Sequence, residues 1–314
     1  MELVTRAHQA LRNRAAPRKI PGVIELATAG DTFEDLVFYG LARLPAAGRE
    51  LKTPSMVRSP GGGALITAVA AARLGTRCAI VSALSPESVR FLRKEGVAVR
   101  NLRAAVEPTA VTVALSTRAD RRFVTFEGGN RHLPSRIRPL LPRIRTKHMH
   151  FAFVPRPCAP WVSVLARLRR RGVTTSWDFG WDDELARDPK LWTLATSVDL
   201  LFLNRDEALR YSGNRRLSAA LKRWRRADNH VAIKLGADGA MVVGGGIDVR
   251  VSAHRRRRAV DSTGAGDAFD GGFLAALLRG RSIRQALAAG NRLGALSVRR
   301  PGGVAGLPRA SGRT

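Results

Sequence analysis

"VDSTGAGDAFDGGFLAALL", residues 260–278, decides the reading of this chain. A turn of small residues, Gly264, Ala265 and Gly266, leads into an alanine- and leucine-rich helical pattern. Glycines there let successive backbone N–H groups point into one space, and a helix starting at that point adds partial positive charge. The turn is a candidate anion hole for a phosphate. Asp267 falls in the first helical turn, facing the same space. A carboxylate beside a phosphate is repelled by it, so it needs a use that offsets the repulsion. Taking a proton from a hydroxyl that attacks the phosphate is that use. The bland alternative is a first-turn aspartate favoured by the helix dipole. Gly271 and Gly272 argue against it. Each costs about 1 kcal/mol relative to Ala inside a helix, which predicts a close neighbour on that face.

Outward from this stretch, short apolar runs alternate with helical patterns. Strand-like runs cover 23–30, 78–84, 110–117, 148–154, 173–179, 198–204, 230–236 and 240–245. Helix-like segments cover 64–75, 160–172, 216–227 and 282–300, the first two closing on a glycine. Strand, helix with terminal glycine, strand is the rhythm of a mainly parallel sheet covered on both faces, a three-layer α/β/α fold. Two stretches, 32–58 and about 105–128, alternate more like exposed antiparallel strands and predict a small sheet standing off the main one as a lid. "LPSRIRPLLPR" (133–143) reads as a connection plus a short helix. The expected division is a basic arm over 1–21, one domain over 22–310 and a tail over 311–314.

The chain has 314 residues, 45% of them hydrophobic, and a net charge of +29. That length supports a sizeable core. Such charge attracts polyanions, and a nucleic-acid-binding role is the reading it suggests by itself. Only seven of the 54 cations are lysine, and the arginines are scattered singly along the chain. The excess therefore also reads as a coding bias laid over solvated faces. Cys78 and Cys158 form no CxxC pair, so neither a zinc site nor a disulfide framework is expected, and the compartment reads as reducing and cytoplasmic. No apolar run approaches a membrane span. Residues 1–22 lack the apolar core of a secretory signal; a frayed arm is the expectation and an organelle-targeting peptide the alternative.

The D-S-T-G-A-G-D run resembles the C-terminal signature of the ribokinase-like (PfkB-type) carbohydrate kinases. "GGGALITAVAAARLG" (61–75) is similar to their N-terminal signature, "GDTFEDLVF" (30–38) to the first strand and turn, and "LNRDEA" (203–208) to their N-x-x-E motif. "IKLGADGA" (233–240) resembles the strand and glycine turn beside the nucleotide, and "GNRLGALSVRRPGGVAGLP" (290–308) the closing helix and loop. The matches come in family order and span about 23–308.

The resemblance implies an ATP-dependent kinase acting on a hydroxyl of a sugar or sugar-like substrate, with a nucleoside as the alternative acceptor. Asp267 would be the general base and Gly264, Ala265 and Gly266 the anion hole. ATP would lie near Lys234, Gly236, Gly239, Thr263 and Asn291. Asn204 and Glu207 would organise Mg²⁺ through water. Asp35, Gly61, Gly62 and Ile66 would meet the substrate. Backbone carbonyls near Asp261 and the loop at 300–306 would hold a monovalent cation such as K⁺. The lid sheet would join a homodimer.

The sequence also departs from the pattern. Ile66 stands where the family usually has an Asn that bonds sugar hydroxyls, which points to a substrate without that hydroxyl or with an apolar face. "WDFGWDDE" (177–184) has Asp178 but lacks the Arg that sugar-acid kinases place after D-x-N. A carboxylate-bearing substrate is therefore disfavoured, with Arg156 the one substitute. Trp177 and Trp181 read as core aromatics, with stacking on a sugar or base as the functional alternative. Arg255 to Arg258 read as a charged edge strand protected from aggregation, with attraction of an anionic ligand as the alternative.

Overall fold

The computed structural model describes residues 23–117, 121–253 and 260–309. The basic arm, the arginine run and the C-terminal tail therefore lie outside the described residues. The strands are β1 (Ile24–Gly30), β2 (Phe33–Leu41), β3 (Met56–Gly61), β4 (Cys78–Ser82), β5 (Ala98–Asn101), β6 (Val111–Thr117), β7 (Arg121–Phe126), β8 (Thr146–Ala152), β9 (Thr174–Asp178), β10 (Leu200–Asn204), β11 (His230–Lys234), β12 (Ala240–Gly244) and β13 (Ile247–Val251). The helices are α1 (Gly63–Arg73), α2 (Pro86–Lys94), α3 (Leu133–Ile137), α4 (Ala159–Arg170), α5 (Leu191–Ser197), α6 (Arg205–Ser212), α7 (Leu217–Trp224), α8 (Ala265–Leu278) and α9 (Ile283–Ser297).

Nine strands form the main sheet in the order β13-β12-β11-β10-β9-β8-β1-β4-β5. Neighbours from β11 to β5 run parallel; β12 and β13 return antiparallel at one edge. Successive side chains on a strand face opposite sides. Leu201 and Leu203 accordingly enter one core with Trp161, Trp177 and Trp224, while Leu200 and Phe202 enter the other with Phe269 and Phe273. Helices α3–α7 cover the first face, and α1, α2, α8 and α9 the second.

A second sheet, β3-β2-β6-β7, is the small one the sequence predicts. Its central pair, β2 and β6, is parallel rather than antiparallel. The reason is topological: the two are separated by β3, α1, β4, α2 and β5, so a crossover and not a hairpin joins them.

The helix carrying Asp267 is held by close packing on two sides. A Cβ on Gly271 would lie 2.6 Å from both the Ala70 Cβ and the Thr67 carbonyl oxygen of α1. One on Gly272 would lie 2.9 Å from the Ala289 carbonyl of α9. The neighbours that the glycine pair predicts are thus two helices.

Candidate active site

Ligands in open parallel sheets bind beyond the carboxyl ends of the strands, and the motif residues converge there. Asp178 ends β9, Asn204 ends β10 and Lys234 ends β11. The starts of α1 and α8 face the same space. Gly264 has φ 72° as the residue before α8, a left-handed geometry that glycine adopts without strain. Ala265 N–H donates to the Ser262 carbonyl (3.3 Å). Among the described residues no acceptor takes the Gly264 or Gly266 N–H, so these two donors and the helix end are what the turn offers to an anion.

Asp267 stands in the first turn of α8 with part of its surface in solvent. Its carbonyl accepts from Thr67 Oγ1 (3.2 Å). A Cβ on Gly63 would lie 3.0 Å from its Oδ1. On the other side of the same glycine run, Asp35 of β2 is buried with its carboxylate against Gly61, where a side chain would overlap it. The Gly61–Gly63 stretch therefore brings two carboxylates to one space, with nothing bulkier than hydrogen between it and either acid.

Burial pushes the Asp35 carboxyl up to about 7, and the charges of Asp267 and Asp261 add to that. Burial and then Asp178 push Asp267 up to about 6, while Lys234 and Arg121 pull it back. An aspartate in that range is ionised at neutral pH yet basic enough to take a proton. Asp31, raised to about 7 by burial and by Glu127, lies next to this pocket in sequence; its carbonyl is among the atoms that a side chain on Gly62 would strike.

Lys234 sits beneath the turn. Its Nζ lies 2.7 Å from Asp178 Oδ2 and 3.2 Å from each oxygen of Asp270. A Cβ on Gly266 would come within 3.1 Å of it. The lysine expected beside the nucleotide is therefore bound in an internal ion cluster. Asp270, fully buried one helical turn after Asp267, is a site residue the sequence reading missed. An aspartate on an apolar helix face, in register with Asp267, was the available signal.

Asn204 and Glu207 form a reciprocal capping box at the start of α6: Glu207 N–H donates to Asn204 Oδ1 and Asn204 N–H to Glu207 Oε2, each at 2.8 Å. Burial and the Asp178 charge push Glu207 up to about 7. The Asp261 carboxylate accepts from Thr263 N–H (3.0 Å), Thr263 Oγ1 (2.7 Å) and Gly302 N–H (3.0 Å). It braces the turn against the closing loop. Further along the sheet, Gly239 approaches the Val251 carbonyl, and Asn291 Nδ2 donates to the Val251 and Ser252 carbonyls at 3.1 Å each. Gly236, φ 62°, opens the turn that leads to Gly239. Gly239 and Asn291 thus meet at the Val251 carbonyl, the end of β13.

Three expectations are corrected. Ile66 is 1% exposed, and its Cδ1 packs under Gly264, 2.6 Å from where a Cβ would stand, and against Gly303. It supports the turn from the core and is not an open face of a substrate pocket. Trp177 is in the core, but Trp181 is 54% exposed, because it follows β9 in a loop beyond the sheet. Arg156 is engaged with Glu184 (3.1 Å) and Asp182 (3.8 Å). Arg121, which the sequence reading did not single out, reaches from β7 to hydrogen-bond Ser262 Oγ.

The model of the "pfkB family carbohydrate kinase" family matches residues 25–310. The chain belongs to that family. It is a kinase of small molecules, transferring phosphate from ATP to an alcohol group. The chain is 28% identical over 258 residues to the 2-dehydro-3-deoxygluconokinase of Bacillus subtilis, covering 76% of this chain and 80% of that one. It is 23% identical over 276 residues to the ribokinase of Lactococcus lactis, covering 86% and 89%. In structure it is similar to the ribokinase of Giardia lamblia (TM-score 0.78, 20% identity, 92% and 98% covered) and to the adenosine kinase of Sinorhizobium meliloti (0.75, 24%, 89% and 95%). Among the described residues no helix of this family member is long and apolar enough to cross a membrane.

Proposed function

We propose that this kinase phosphorylates a hydroxyl of a neutral sugar or sugar-like alcohol, with Asp267 as the general base. The observation that carries this reading is the pairing of Asp35 and Asp267 across Gly61–Gly63, at the mouth of the Gly264–Gly266 turn. Asp35 binds and orients the acceptor's hydroxyls. Asp267 takes the proton of the attacking hydroxyl as the bond to phosphorus forms. The Gly264 and Gly266 N–H groups and the start of α8 meet the charge that grows on the transferred phosphoryl oxygens.

The acceptor end is lined by carboxylates, which repel an anionic acceptor, and Arg156 is occupied elsewhere. Both points favour a neutral acceptor, although the Bacillus relative is named for a sugar acid. A nucleoside is the second reading, supported by the likeness to an adenosine kinase.

Asn204 and Glu207 satisfy each other's backbone, leaving part of one carboxylate and an exposed amide. That set suits contact with a hydrated Mg²⁺ through water, not a dry cage. The ion would neutralise phosphate charge. A monovalent cation such as K⁺ would rest on carbonyls of the 300–306 loop, since the Asp261 side chain is committed to the loop itself. Self-association through the small sheet is supported by β7, whose Phe123, Val124 and Phe126 are 46%, 70% and 56% exposed. Light scattering of Val124→Glu reports it: a dimer that becomes monomeric supports this surface, and a dimer that persists removes it.

The deciding test is an ATP-consumption screen over neutral sugars, sugar acids and nucleosides, followed by Asp267→Asn on the best acceptor. A loss of about 10²–10⁴ in kcat is expected of a general base. Turnover that survives the change overturns the assignment.

A further inference from the structure

Four acids, Asp178, Glu207, Asp267 and Asp270, and one lysine crowd the strand ends behind the Gly264–Gly266 turn. Asp178, Asp267 and Asp270 bring carboxylate oxygens within 4.8 Å of one another. Three free carboxylates at that spacing repel strongly, and burial makes the repulsion worse. Two features relieve it. The Lys234 ammonium bridges Asp178 and Asp270, at 2.7 Å and 3.2 Å. Burial also penalises a second negative charge beside a single ammonium, which favours one proton retained between the Asp178 and Asp270 carboxyls. One ammonium, one carboxylate and one carboxylic acid sum to zero charge.

Resting on the reading of Asp267 as general base, we propose that Lys234, Asp178 and Asp270 are a charge-balanced positioning unit for Asp267. The two carboxyls share one proton around the lysine, and the neutral unit beneath the turn keeps Asp267 ionised. The unit is built from three elements, β9, β11 and α8, so it also fixes the catalytic turn to the strand ends: the lysine passes directly under Gly266.

The titration directions agree with the geometry. Burial favours neutral Asp178, but the lysine and the hydrogen bonds from Lys234 Nζ and Gly180 N–H outweigh it and hold Asp178 below the ordinary carboxylate range. Burial holds Asp270 well above that range, and Asp178 adds to the effect. Burial would lower the Lys234 pKa, yet Asp178 and Asp270 raise it instead. The lysine therefore does not titrate under working conditions. The other charges facing Asp267 are Glu207 on α6, Asp35 on β2 and Arg121 on β7.

The proposal has an unusual signature. Removing either carboxyl alone lets the other become the carboxylate, so the unit stays neutral. Asp178→Asn and Asp270→Asn should each move the acidic limb of the kcat/KM profile by less than about half a pH unit. Lys234→Met leaves a net negative pair and should move the limb up by about one unit or more. Asp178→Asn with Asp270→Asn leaves the lysine alone and should move it down by a similar amount. A cluster that merely holds the fold would change amplitude and melting temperature without these signs.

A second arm needs no turnover. The gain in melting temperature from Asp267→Asn at pH 7.5 should be larger in a Lys234→Met background than in the native one. If Lys234→Met does not fold, the comparison of the two single Asn variants with their double decides. Single shifts that add up to the double shift overturn the shared-proton unit, as do limbs that stay put in all variants. If Asp267→Asn itself keeps full turnover, the base assignment fails instead, and the two failures are told apart.

Discussion

A carboxyl held near neutral pH weakens the fold that holds it, and Asp267, the proposed general base, allows this to be measured. Its carboxyl is raised from 3.8 to about 6, first by burial and then by Asp178. A raised acid binds its proton more tightly in the folded state. Its penalty is therefore absent below about pH 4, grows between pH 4 and 6, and is complete above 6. A shift of that size corresponds to about 3 kcal/mol when fully developed. Asp267 keeps some contact with water, so about 2 kcal/mol is the working figure. Asp267→Asn removes the charge with little change of shape and should stabilise the protein by that amount at pH 7.5. For a domain of this size the melting temperature should rise by about 3 °C. At pH 4 less than about a quarter of the gain should remain, because the native carboxyl is then mostly protonated. Scanning fluorimetry of both proteins at the two pH values, without nucleotide, reads the difference. An equal gain at both values, or a less stable variant at pH 7.5, refutes the reasoning.

Gly271→Ala tests the packing of α8, the helix that carries Asp267. Helix propensity favours Ala by about 1 kcal/mol, but the new methyl meets the Thr67 carbonyl at 2.6 Å and a backbone oxygen cannot swing aside. Overpacking of about 1–3 kcal/mol should win, lowering the melting temperature, and kcat should fall as α8 shifts. Ile66→Asn, which restores the family's usual residue, should destabilise by about 3 kcal/mol, since the amide enters an apolar site under Gly264; denaturant titration reads it. Arg73 pairs with Glu95 at 2.7 Å and donates to the Val304 and Leu307 carbonyls at 2.7 and 3.1 Å. Arg73→Met should cost about 3–5 kcal/mol, because it removes the arginine of a largely buried ion pair and two hydrogen bonds to the closing loop, and proteolysis within 300–309 should accelerate.

Much of this architecture is legible in the chain because its strands are buried on both faces and read as continuous apolar runs. The runs at 198–204 and 230–236 fall on β10 and β11 for that reason. β5 and β13 escape notice because an edge strand is half exposed, and Ala98–Asn101 shows no apolar run. The parallel pairing of β2 with β6 is illegible for another reason: partners far apart in sequence leave no local turn signal. Asp267 could be singled out because its chemistry is local, a glycine turn and a helix start within a few residues. The Lys234 unit could not, since its members sit on three elements and nothing in each stretch names the others. Ile66 shows the converse error. Its place in the signature suggested a pocket wall, but a position in sequence does not say which way a side chain turns.

The opening charge imbalance has a use once the ion pairs are known. With about two cations for every acid, carboxylates away from this site have arginine within reach: Glu95 takes Arg73, Glu107 takes Arg136, Glu184 takes Arg156 and Arg187, Asp238 takes Arg205 and Asp248 takes Arg225. Among the described residues no arginine stands within ion-pairing distance of Asp31, Asp35, Asp178, Asp261, Asp270 or Glu207. Those acids are held by backbone N–H groups, by one lysine or by burial alone. An arginine beside Asp35 would fix the carboxylate in its charged form and occupy the oxygens that meet a hydroxyl. Lysine, a compact cation on a flexible stem, neutralises two neighbours from below and leaves the upper face of Asp267 open. In a chain this rich in arginine, Arg121 faces Asp267 from the Ser262 hydroxyl, while the other acids of the pocket are balanced by backbone, lysine or burial, on the residues that the glycine turns had already selected.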